Sequence, residues 1–160
     1  MNRVQRTVDL FPKALNCSQA MLTVFGEQYG LNAEMAAKFG RPLCGGMGHM
    51  ARTCGAVSAA VLILGLANDG QDEAKAREAS FAAVQQLFRR FEALHGTTEC
   101  KSLLGADMST EDGMKKIKGE KLVSQRCPAF VRDVASILET LLTPYAGSRS
   151  NKEESGRNFL

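Results

Sequence analysis

Residues 56–67 read AVSAAVLILGLA, an apolar run broken only by Ser58 and Gly65. A helix that is apolar on every side has no face to turn to water, so it must lie inside a bundle or inside lipid. Twelve residues are fewer than the ~20 needed to cross the hydrocarbon of a bilayer, so the run is predicted to be the buried central helix of a bundle. The rest of the chain can surround it. With 44% apolar and 23% charged residues, the sequence resembles an ordinary globular domain and no disordered class. At 160 residues, a single core buries roughly two-thirds of the unfolded chain's surface without a disulfide or a metal.

The flanking segments carry helical periodicity, and none alternates like a strand. Ala14, Cys17, Met21, Val24 and Phe25 fall on one stripe of a predicted first helix over about 11–29, closed by Gly30. Asn32 is placed to cap a short helix through Phe39. The central helix is expected to begin near Thr53 or Cys54, and Asn68, Asp69 and Gly70 follow it as a turn. Residues 72–95 form a long amphipathic helix with Ala83, Leu87 and Phe91 on its inner face, stopped by Gly96. Thr98 and Ser109 are candidate caps for two short helices. Cys127 and Pro128 announce the last helix, since proline suits the first helical position, and Pro144 ends it. The fold class is therefore all-α: a compact bundle of about five to seven helices in a single domain over 1–144. Residues 145–160 are expected to be a polar mobile tail.

Twenty Lys and Arg against seventeen Asp and Glu leave a net charge of +3, spread along the chain. So weak a field does not indicate nucleic-acid binding. The N-terminal segment lacks the apolar run and cleavage site of a signal peptide, so a cytoplasmic protein with no membrane contact is expected. Ser18 and Ser58 have no accompanying base and acid, which argues against a hydrolase.

Five cysteines, at 17, 44, 54, 100 and 127, are an odd number for a set of structural bridges. In a reducing compartment such residues are metal ligands, catalytic thiols or inert core residues. Cys54, Cys100 and Cys127 all fall at predicted helix starts, where free amides and the dipole favour a thiolate. Taken singly, each would more often be a small core residue. Residues 40–53 form a glycine-rich loop, GRPLCGGMGHMART, whose backbone must turn tightly or approach something closely. His49, five residues from both Cys44 and Cys54, is a candidate ligand or proton carrier, or else an exposed loop residue. Met47 and Met50 are soft-ligand candidates whose plainer reading is packing on the core. His95 ends a helix, where a cation complements the dipole.

The order of NCSQAM around Cys17, FG and GGMG between Phe39 and Gly48, TCGAVSAAVLILGL around Cys54, ECKSLLG around Cys100 and RCPAFVRDVA around Cys127 resembles the C_GCAxxG_C_C family of redox-active proteins. The resemblance implies that Cys17, Cys54, Cys100 and Cys127 are the functional thiols, as catalytic residues or metal ligands. It further implies that Gly46, Met47, Gly48 and Gly55 contribute to a bound cofactor's surroundings. Two departures stand out. The pattern's glycine three residues after Ala56 is Ala59 here, and Cys44 is an extra thiol: a fifth ligand, a resolving thiol or a passenger.

Three functions remain open on the sequence. Four thiolates could hold an iron–sulfur cluster, with His49 and Cys44 as further ligands. The same thiols could form reversible disulfides. A structural zinc site or a partner-binding helical module is the non-catalytic reading. A redox partner protein or a small-molecule electron donor is expected in the first two. The small-residue face of the central helix would also suit a homodimer.

Overall fold

The computed structural model describes residues 2–68, 70 and 72–145. Among these residues there are eight α-helices and no β-strand beyond one isolated bridge, Thr53 to Glu99. The expected turn at Asp69 and the tail over 146–160 lie outside the described residues.

The helix predicted over about 11–29 begins later than expected, and an unpredicted helix precedes it. Helix α1, Arg3–Leu10, starts at Asn2, whose side chain accepts from Gln5 N, and stops at Phe11. Pro12 has no N–H to continue a helix. The chain resumes as α2, Cys17–Gly26, under a capping box in which Asn16 and Gln19 satisfy each other's backbone amides. Cys17 is therefore the first residue of a helix, not a mid-helix residue. Helix α3, Ala33–Gly40, is capped by Asn32 as expected. It crosses α2 closely: a Cβ at Gly40 would stand 2.7 Å from the Gln19 Cα, and Ser18 Oγ donates to the Gly40 carbonyl at 2.7 Å.

The apolar run becomes α4, Gly55–Ala67, with Val57, Ala59, Ile63 and Leu64 fully buried. It packs against α2, against α5, Glu73–His95, and against α8, Leu122–Leu142. Helix α5 runs from the Asp72 cap to Gly96, whose φ of 77° is the left-handed geometry a helix-ending glycine supplies. His95, at its last position, pairs with Asp133 of α8 at 2.9 Å, lies tilted against Phe91 and meets Phe130 edge to face.

The two short helices are α6, Cys100–Leu104, and α7, Glu111–Gly119. Their caps differ from expectation. Glu99, not Thr98, precedes α6, and Thr110, not Ser109, caps α7 by accepting from Gly113 N. Thr98 is engaged instead through its carbonyl, which accepts from Cys54 N at 2.8 Å.

The last helix starts earlier than Pro128 suggests. Leu122 and Ile117 are buried with Cys100 and Leu104 in a small satellite core, and this packing extends α8 upstream to Lys121, whose φ is 52°. Pro128 is thus inside the helix, where it withholds a bond from the Ser124 carbonyl. Cys127 is an interior helical residue, so the expected helix-start stabilisation of its thiolate does not apply.

Candidate functional site

The five cysteines come from five separate elements, and all line one cavity of about 320 Å3. Cys17 opens α2, Cys44 ends the 3-10 turn Arg41–Leu43, Cys54 caps α4, Cys100 opens α6 and Cys127 projects from α8. Cys54 and Cys100 are set by backbone. Cys54 N donates to Thr98 O at 2.8 Å and Cys100 N to Arg52 O at 2.7 Å, on either side of the Thr53–Glu99 bridge. In such a bridge the residues following the paired positions point to the opposite face from them, so both thiols face one way.

The glycine loop between Cys44 and Cys54 is a left-handed turn. Gly45, Gly46, Met47, Gly48 and His49 have φ of 66°, 68°, 64°, 60° and 64° in succession, and Ala51 follows at 57°. Its carbonyls are occupied across the turn: Gly45 O by Ala51 N at 3.1 Å, Gly46 O by Arg52 N at 3.0 Å. A Cβ at Gly46 would lie 2.5 Å from both Arg52 N and Arg52 O, so only glycine fits there. The turn brings His49 back onto Cys44, and Gly45 and Gly55 join the cavity wall.

Gly46, Met47 and Gly48 shape this turn without lining the cavity, and Gly55 does line it. Met47 and Met50 are 41% and 58% exposed. This corrects the expectation that they pack on the core; the left-handed turn points them outward.

The five thiols divide by electrostatics. Cys17 S–H donates to Cys44 Sγ, and this bond above all brings Cys44 down from the ordinary thiol value to about 6. Hydrogen bonds from His49 and from Gly45 N assist it, against the opposing effect of burial. The same interaction raises Cys17 well above normal, with burial and the nearby Cys54, Cys44 and Cys127 adding to it. The pair favours an ionised Cys44 beside a protonated Cys17.

The other three stay neutral. Burial raises Cys54 although the Ala56 and Val57 amides at the start of α4 pull the other way. Burial is also the main cause for Cys100, pushed up to about 12, and for Cys127, which rises further. The helix-start argument thus names real amides at Cys54 but underrates the cost of burying a charge.

Among the described residues, no three His, Cys, Asp or Glu side chains are gathered closely enough to hold one metal ion. The side chains as placed among the described residues form no tetrahedral zinc site.

Sequence reasoning left Cys44 open as a fifth ligand, a resolving thiol or a passenger; in the structure it lines the cavity with the other four, and Cys17 and His49 both act on it. Its position before Gly45 and Gly46, with His49 five residues on, was the available signal.

The model of a family described as "Putative redox-active protein (C_GCAxxG_C_C)" matches residues 15–141. The chain belongs to the C_GCAxxG_C_C family. The match spans all five cysteines and ends one residue short of the end of α8, so the cavity lies within the C_GCAxxG_C_C region except for Phe11, Pro12, Lys13 and Ala14 of its wall. No curated protein and no solved structure matches the chain. No described helix is long and apolar enough to cross a membrane.

Proposed function

We propose that this member of the C_GCAxxG_C_C family is a dithiol redox protein of a reducing compartment, with Cys44 as the nucleophile and Cys17 as the thiol that closes the disulfide. The observation that carries this reading is the placement of Cys17 and Cys44 together on the wall of one cavity, where Cys17 is the main influence that lowers Cys44. A thiol beside a thiolate is placed to attack that sulfur once it has been oxidised.

The chemistry is two-electron. Cys44, ionised, attacks an oxidised substrate and becomes joined to it or oxygenated by it. Cys17 then attacks the Cys44 sulfur, its proton leaves, and the Cys17–Cys44 disulfide forms while the substrate carries away two electrons. A partner dithiol or small thiol returns the pair to the reduced state. Cys54, Cys100 and Cys127, held neutral chiefly by burial, do not compete with Cys44 for the substrate at neutral pH.

The test is an anaerobic preparation analysed for metal and for free thiols before and after a reductant. The reading expects no stoichiometric metal and a gain of two thiols on reduction of the oxidised protein. Stoichiometric iron with sulfide, or stoichiometric zinc, would contradict it.

A further inference from the structure

We infer that the oxidant received by Cys44 is a small, uncharged, apolar disulfide whose organic group lies in the cavity beside the five thiols; this rests on the dithiol reading above.

The cavity walls decide the substrate class. Phe11, Leu15, Leu104, Met108, Val123 and Phe130 supply most of the lining around the sulfurs. The one charged residue of the lining is Lys13, which is exposed. Asn16 is also on the wall, but its side-chain oxygen already accepts from Gln19 N and Ser18 Oγ, each at 2.8 Å. Nothing in the lining pairs several carboxylates, and an unpaired charge taken from water is costly. A peptide disulfide such as oxidised glutathione is therefore disfavoured. At about 320 Å3 the space is at the small end of ligand cavities, which suits a short alkyl or single-ring group.

The room also favours a substrate that stays attached. A hydroperoxide delivers one oxygen and leaves, whereas a disulfide leaves half of itself on the nucleophile. Cys44 thiolate attacks one sulfur of RSSR; the S–S bond breaks, and RS− departs and takes a proton from water. The Cys44–S–S–R intermediate holds R against the apolar wall. Cys17 then attacks the Cys44 sulfur, releases its proton, and expels the second RS−, which is protonated. RSSR and two protein thiols become two RSH and the Cys17–Cys44 disulfide, with two electrons passed and no further oxidant needed.

The experiment is a single turnover of the fully reduced chain with dipropyl disulfide, bis(2-hydroxyethyl) disulfide and oxidised glutathione. Each rate is divided by that reagent's rate with free mercaptoethanol. The normalised rate for dipropyl disulfide is expected to exceed that for oxidised glutathione at least about tenfold. Val123→Phe, which fills the cavity, should bring that ratio close to one. Met108→Ala, which enlarges it, should move the preference toward dibenzyl disulfide, with helical circular dichroism confirming that both variants fold. Equal normalised rates, or a preference for oxidised glutathione, overturn the substrate assignment while leaving the dithiol reading standing. Failure of all three disulfides to react overturns both.

Discussion

A Cβ on Gly55 would stand 2.9 Å from Cys17 Sγ and 2.8 Å from the Leu43 carbonyl. The first residue of the central helix thus leaves space for the thiol that opens α2, and the cysteine beside that glycine, Cys54, faces the same cavity. Gly55→Ala should force Cys17 or the 3-10 turn aside, with a loss of about 1–3 kcal/mol from overpacking. It should also slow alkylation of Cys44 near pH 7, because a displaced Cys17 no longer donates to it. Denaturant midpoints and a timed iodoacetamide reaction measure the two effects. An unchanged midpoint would show that the contact is not tight.

The pH dependence of that alkylation has a defined sign. Cys44 ionises at about 6, so its rate should climb through pH 6 and level off by pH 7, while the other four thiols remain slow. Cys17→Ala removes the donor and should move the Cys44 midpoint upward; His49→Ala should move it upward by less. Because the folded-state value is below the unfolded one, the thiolate contributes stability that is fully present above the ordinary thiol value. That contribution is lost as pH falls through about 6. A midpoint above 8 in the unaltered protein would contradict the assignment.

The left-handed turn carries a measurable cost. Met47 is exposed and has a φ of 64°, where a side chain costs about 1–2 kcal/mol relative to the right-handed region. Met47→Gly should raise stability by about 1 kcal/mol in urea unfolding, since it relieves the backbone and uncovers little apolar surface. A loss of stability would mean the side chain is held by contacts that outweigh the strain.

The centre of the bundle should be the least tolerant part of the fold. Leu64 is fully buried on α4, so Leu64→Ala should cost about 2–5 kcal/mol. Chemical denaturation measures it, and a cost under 1 kcal/mol would argue that α4 is not at the core.

The sequence carried the helices best where periodicity and caps agreed. The apolar run of α4, the Asn32 cap and the glycine stop at Gly96 were all legible. The errors came from rules of local chemistry set against each other. The stripe over residues 14 to 25 concealed the break at Pro12, where the missing N–H outweighs periodicity. At Pro128 the opposite happened: the preference of proline for a helix start was outweighed by burial of Leu122 against Ile117 and Leu104.

The site was legible as a set of cysteines but not as a pair. The four thiols of the family pattern do reach one cavity, yet the low-pKa partner is Cys44, which the pattern does not require. Which sulfur keeps the proton depends on burial and on a turn of consecutive left-handed residues that folds His49 back onto Cys44. Neither quantity follows from spacing along the chain.

The most direct test of the central claim is to treat the reduced chain with one equivalent of a thiol oxidant, quench in acid, alkylate, and map the linked peptides by mass spectrometry. The account predicts a loss of two thiols and a Cys17–Cys44 linkage, with Cys54, Cys100 and Cys127 still free. A first linkage among those three, or five thiols surviving the oxidant, would contradict it.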